Sequence, residues 1–181
     1  MKKRTSFYSM IFLTLLFTFS CVNNSHAQRR NKVRKLEYNS SYNYEVATVA
    51  VGVDGTKLVK VWGYGKKVED AIRNAKKLAV AAAIFSGFPA APGGAAASTP
   101  PILKDKNADT KYADFFENFF APGGKYLQFV QLSNDAPPSG KNRIKVNKKT
   151  YKVGVLVSVA YDNLRKYLED QGIARSLDAG F

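Results

Sequence analysis

The sequence predicts an α+β fold, one antiparallel sheet with helices mostly on one face, in the order β-β-α-α-β-β-β-α. Three observations carry this. Asp54-Gly55 lies between two runs rich in β-branched and aromatic residues, a strong hairpin signal. Alanines and aliphatic residues recur at helical spacing from Val68 to Phe85. Finally, Tyr151, Val153, Val155, Val157 and Val159 alternate strictly with their neighbours, as a half-buried strand does.

The chain opens with a different kind of segment. Lys2, Lys3 and Arg4 precede an apolar run, Phe7 to Phe19, that is too short to span a bilayer as a mature helix. Residues 1–27 therefore have the layout of a secretory signal. Ser25-His26-Ala27 supplies the small-x-small pattern, which places cleavage between Ala27 and Gln28. A second reading puts processing at Cys21, which would then be acylated and make the protein a membrane-tethered lipoprotein. Against it, Thr18 stands three places before the cysteine, where such signals usually carry an aliphatic residue.

The only cysteine and the only histidine lie within this segment. Its removal leaves a domain without disulfides, thiol nucleophiles, histidine-based triads or His/Cys zinc sites. The formal net charge of +14 falls by the three n-region cations, to +11. Such a chain favours anionic neighbours in the periplasm or cell envelope.

Residues 28–41 read as a basic, flexible arm carrying Arg29, Arg30, Lys32, Arg34 and Lys35. A single domain follows over 42–181. Its first strand is Tyr44 to Val51, and Lys57 to Trp62 returns from the Asp54-Gly55 turn. Gly63-Tyr64-Gly65 leads into the helix Val68 to Phe85, with Glu69, Asp70, Arg73, Asn74, Lys76 and Lys77 on its polar face. Residues 87–101 contain Pro89, Pro92 and the pair Pro100-Pro101 together with Gly93-Gly94 and read as a flexible linker or lid. The spacing then predicts a second helix over 108–120, stopped by Pro122-Gly123-Gly124. Strands are expected at Tyr126 to Leu132, at Asn142 to Val146 and from Tyr151 onward. The last helix is expected to be N-capped by Asp162 and stopped at Gly172, with Ile173 folding back on Leu168.

Val61-Trp62-Gly63-Tyr64-Gly65 followed by Glu69-Asp70-Ala71-Ile72-Arg73-Asn74-Ala75-Lys76-Lys77-Leu78-Ala79 resembles the strand-to-helix element of small bacterial envelope lipoproteins. It is similar also to the N-terminal domain of flagellar-assembly T-type proteins. The match covers about 20 residues, and the Pro/Ala/Gly insert departs from it. The resemblance implies a compact, non-catalytic envelope module that binds other proteins or the cell wall, and it transfers no catalytic residue.

No cofactor is expected. The position of a third dinucleotide-fingerprint glycine holds Val68, and no Gly-Lys-Ser/Thr run is present for a P-loop. The alternative to a binding module is a small carboxylate-dependent hydrolase of wall or glycan polymers, drawing on Asp105, Asp109, Asp114, Glu117 and Asp135. That chemistry needs at least two of these acids in one cleft. Acids placed among Lys104, Lys106 and Lys111 read more simply as solvated partners of those lysines.

Two surfaces remain as candidate contact sites. Lys141, Arg143, Lys145, Lys148, Lys149 and Lys152 would set cations along a hairpin at one edge of the sheet. Edge lysines guard against sheet-to-sheet aggregation, and the same lysines could dock an anionic lipid or glycan surface or an acidic envelope protein. Export removes nucleic acid from the expected partners. Phe115, Phe116, Phe119 and Phe120 span two adjacent helical stripes, and they form either core or an exposed apolar interface. The terminal Phe181 follows no alternating amphipathic strand, so the chain does not read as an outer-membrane barrel.

Overall fold

A computed structural model describes residues 42–176. The signal segment, Cys21, the Ala27–Gln28 junction, the arm cations Arg29, Arg30, Lys32, Arg34 and Lys35, and Phe181 lie outside the described residues. The fold is α+β, as the sequence predicts.

Strands β1 (Val46–Val51) and β2 (Thr56–Gly65) form the expected antiparallel hairpin. Asp54 and Gly55 both take positive φ, 53° and 67°, and Thr56 N–H donates to the Val53 carbonyl at 3.1 Å. Two left-handed residues give a turn whose twist matches that of the strands it joins. The register shifts between Thr48 and Ala50, a bulge that curves β1.

β2 sits between β1 and the longest strand, β5 (Thr150–Ala160). It pairs with β5 antiparallel from Thr56↔Ala160 to Gly65↔Tyr151. The far edge of β5 is shared. β3 (Val130–Leu132) pairs with its Val157–Val159 end, and β4 (Arg143–Asn147) pairs with its Thr150–Val153 end.

Helix α1 (Val68–Phe85) lies on one face of the sheet, with the expected bounds. The approach is close. A Cβ at Gly63 would lie 2.1 Å from the Ala71 carbonyl oxygen and 2.5 Å from the Ala75 nitrogen, and one at Gly65 would lie 2.4 Å from the Ala71 nitrogen. Ala71, Ala75 and Ala79 are fully buried there, above Val59, Val61, Val153, Val155 and Val157. β2 therefore runs through Gly63-Tyr64-Gly65 instead of stopping at Trp62. The glycines stay in the strand, and what their missing side chains provide is room for the helix backbone.

The C-terminal half of α1 departs from the amphipathic expectation, because every residue from Leu78 to Phe85 is buried. A helix apolar all round must be covered all round, and residues 87–103 supply much of that cover. Phe88 and Thr99 exchange backbone hydrogen bonds at 2.8 and 2.9 Å. Pro89 accepts a bond from the Thr48 hydroxyl, and Pro100 accepts one from Tyr161 Oη at 2.7 Å. The Ile102 and Leu103 amides donate to the Ala83 and Ile84 carbonyls, two of the orphan acceptors at the helix end. The insert is thus a docked strap, which corrects the reading of residues 87–101 as a flexible linker or lid. Composition suggested mobility, but the breakers shape a loop whose apolar residues Phe88, Ala91 and Ala96 are buried.

Three further element boundaries differ from expectation. The second helix breaks at Tyr112 (φ −115°, ψ 37°) into α2 (Ala108–Lys111) and α3 (Ala113–Phe119). Tyr126 to Phe129 belong to a 3₁₀ segment, Lys125–Phe129, because Tyr126 and Phe129 stand three apart and this winding buries both on one side. Helix α4 (Tyr161–Asp170) has Ala160 in the N-cap position, so Asp162 is a first-turn acid instead of the N-cap. Its other end follows the sequence: Gly172 takes φ 68°, Gly172 N–H bonds to the Glu169 carbonyl and Ile173 N–H to that of Leu168, both at 2.9 Å, completing a Schellman stop.

Candidate functional site

Because side chains alternate across a strand, the residues of β2 and β5 that point away from α1 are the even-numbered ones. Lys60, Trp62, Lys152, Leu156 and Ser158 are half-buried, and Tyr64 is exposed. This face is built around Trp62, the only tryptophan of the chain. Its indole lies over Gly154, the cross-strand partner: a Cβ at Gly154 would meet the ring at 2.9–3.0 Å. Lys60 Nζ stands 5.3 Å from the ring centre and Lys152 Nζ 5.0 Å, so two cations flank one aromatic platform.

Lys152 is held more firmly than the other hairpin cations. It pairs with Glu45, whose second carboxylate oxygen accepts a bond from Tyr64 Oη at 2.7 Å. The Lys152 and Tyr64 hydrogen bonds hold the Glu45 carboxyl below the usual glutamate range, and the Glu45 bond pushes Lys152 up. The site is therefore a charged aromatic cluster, Glu45-Trp62-Tyr64-Lys152, drawn from both sides of the hairpin and from β5. Beside it, Lys60, Gly154 and Leu156 form the floor of a hollow of about 380 Å³, walled by Asn134, Ala136, Pro137, Pro138, Ser139 and Asn142.

The edge strand β4 continues this face outward, and all five of its residues are exposed. Ile144 pairs with Lys152 across the sheet, which puts it on the Trp62 side, while Arg143 and Lys145 project to the opposite side near the Tyr151 ring at 5.6 and 5.9 Å. Ile144 and Val146 are 45% and 53% exposed, an uncommon pair of apolar side chains to leave in water next to an aromatic platform. Lys141, Lys148 and Lys149 are exposed at the two ends of β4. The structure thus gathers Lys141, Arg143, Lys145, Lys148 and Lys149 on one projecting edge and sets Lys152 apart in an ion pair.

The phenylalanines are elsewhere. Phe116, Phe119 and Phe120 are 0%, 3% and 4% exposed, and Phe115 is half-buried between Phe116, Phe119 and Tyr167. Of the two readings of Phe115, Phe116, Phe119 and Phe120, core and exposed interface, the structure shows core and removes the apolar interface. Phe116 packs edge-on to Phe85 at 5.0 Å and Phe119 stacks on Phe129 and Tyr167, so the wide aromatic arc is used to seal α1, the 3₁₀ segment and α4 together.

Of the candidate carboxylates, only Asp105 lines a described cavity, and its Oδ1 is engaged by the Asn107 amide at 2.9 Å. Asp109, Asp114, Glu117 and Asp135 line neither of the two cavities described. Trp62, Tyr64, Lys60 and Glu45 were not singled out from sequence as site residues. The period-2 alternation of β2, read together with a glycine opposite the tryptophan, is the signal that would have found them. No protein-family model matches this chain, and neither a curated protein nor a solved structure shows significant similarity to it.

Proposed function

We propose that this protein is an exported, non-enzymatic α+β module of the cell envelope that docks on an anionic surface through its open sheet face and the β4–β5 hairpin. The observation that carries the reading is the Trp62 platform, flanked by Lys60 and Lys152 and extended by exposed Ile144 and Val146. An aromatic ring with an apolar body, set beside cations, suits an interface between water and a charged, partly apolar layer. The basic composition, the signal-like first 27 residues and the resemblance of the Gly63-x-Gly65 element to envelope modules support the same reading. Cleavage after Ala27 gives a freely diffusing module. Acylation at Cys21 gives a tethered one, for which this face is the second contact that stable anchoring needs.

The test is retention of the protein on vesicles containing anionic lipid and, in parallel, on cell-wall sacculi, as a function of salt. Exposed charges act over about 8 Å at physiological ionic strength, so capture should weaken steeply as salt rises. Replacing Arg143, Lys145, Lys148 and Lys149 together with glutamine should reduce retention, and docking should shift the emission of Trp62. Retention on both surfaces that is unchanged by salt and by the four substitutions would reject the proposal and leave these residues as edge protection.

A further inference from the structure

A second cavity lies away from the sheet face, where the segment after the strap, helix α2, helix α4 and the residues beyond the Schellman stop meet. Its volume is about 480 Å³, within the range of small-molecule sites. The floor is apolar: Ile102, Leu103 and Ala108 are buried, and Ile173 and Tyr112 are half-buried. The rim is cationic, with Lys104, Lys111, Arg165 and Arg175 against one carboxylate, Asp105. That carboxylate already accepts the Asn107 amide, and Arg165 is paired with Glu169 at 2.9 Å. Lys104, Lys111 and Arg175 are exposed and take part in no ion pair among the described residues, Lys111 resting 5.1 Å from the Tyr112 ring centre.

We propose that this groove binds a small amphipathic anion, a phosphate or carboxylate ester or acid carrying one apolar ring or short chain. The argument is one of complementarity. Three cations without anionic partners among the described residues converge on one opening, a site whose field raises the local concentration of anions. Exposed lysines alone would hold any anion weakly. Here the buried Ile102–Leu103–Ala108 floor gives an apolar group a place to leave water, about 25 cal/mol for each Å² removed. The floor is held in position, because the Ile102 and Leu103 amides are bonded to the end of α1 and Ile173 is fixed by its bond to Leu168. The groove is therefore preformed, which reduces the ordering cost of binding. It shares no lining residue with the open sheet face, so the two sites stand or fall separately.

The experiment is titration of the protein with phenyl phosphate, followed by amide chemical shifts, with phenol and inorganic phosphate as the two half-ligands. Saturable shifts are expected at residues 102–112 and 173–176, with phenyl phosphate binding more tightly than either half. The double variant Lys104→Gln/Arg175→Gln should weaken phenyl phosphate binding by about tenfold while leaving phenol unchanged. Both positions are exposed, and an unchanged melting temperature will show that the variant is folded. The proposal is overturned if shifts fall outside the groove, if phenol binds as tightly as phenyl phosphate, or if the double variant binds phenyl phosphate like the parent. Lys148→Gln/Lys149→Gln, at the sheet edge, should leave this titration unaltered, and an equal loss there would reduce the effect to general surface charge and likewise overturn it.

Discussion

Gly63→Ala tests the packing argument most sharply, because the added carbon would meet backbone atoms. The Cβ would lie 2.1 Å from the Ala71 oxygen, 2.5 Å from the Ala75 nitrogen and 2.8 Å from the Ala75 Cβ. Ordinary carbon contacts begin near 3.5 Å, so α1 would have to lift by roughly 1 Å along its contact with β2. No rotamer change can relieve this, since the nearest obstacles belong to the helix itself. Overpacking a well-filled site costs about 1–3 kcal/mol, and the backbone obstacle places Gly63→Ala at the upper end. For a domain of this size, about 3 kcal/mol lowers Tm by roughly 6–12 °C. The matched control is Gly154→Ala, whose Cβ would meet the Trp62 ring at 2.9–3.0 Å. Trp62 is half-buried on the open face and can swing outward, so the loss of stability should be smaller and should come with a change in tryptophan emission. Thermal and urea unfolding followed by circular dichroism, with fluorescence in parallel, measure both. A Gly63→Ala protein that melts within a degree of the parent, or a Gly154→Ala protein that loses more, would refute the account of why these glycines stand in the strands.

Ala75→Leu should likewise destabilise the domain, by about 1–3 kcal/mol in urea unfolding, because Ala75 is fully buried against the sheet. Tyr161→Phe removes the bond to the Pro100 carbonyl; a loss of about 0.5–1.5 kcal/mol and faster proteolysis within residues 89–99 are expected, and an unchanged cleavage rate would deny that this bond holds the strap. The depressed Glu45 carboxyl contributes stability that is present above the ordinary glutamate range and is lost as pH falls through its lowered value; Trp62 emission should follow that transition in the parent and lose it in Glu45→Gln. Asp114→Asn and Glu117→Gln sit at exposed positions and should each change stability by less than about 0.5 kcal/mol; hydrolysis of wall or glycan polymers by the parent that either variant abolished while remaining folded would establish the hydrolase instead of the docking module. Mass spectrometry of the exported chain should find Gln28 at its N-terminus, and a diacylated Cys21 there would make the module a tethered one.

The sequence by itself determined the elements whose signals are local. The Asp54-Gly55 turn, the α1 bounds, the alternation of β5 and the Gly172 stop all depend on residues within a few positions of one another, and each stands in the structure where the pattern puts it. Only the tertiary structure decided matters of long range. Whether residues 87–101 move or dock depended on what α1 needed covered, and eight consecutive buried residues from Leu78 to Phe85 answered it. Whether four phenylalanines face water depended on partners as distant as Phe85 and Tyr167. The platform of the open face joins Glu45, Trp62, Tyr64 and Lys152, and the groove joins Lys104 to Arg175; in both, side chains far apart in sequence meet because antiparallel pairing and helix packing bring them together. Local propensity and hydrophobic period act over a few residues, so they fix elements, whereas burial and the meeting of charges are properties of the folded surface as a whole.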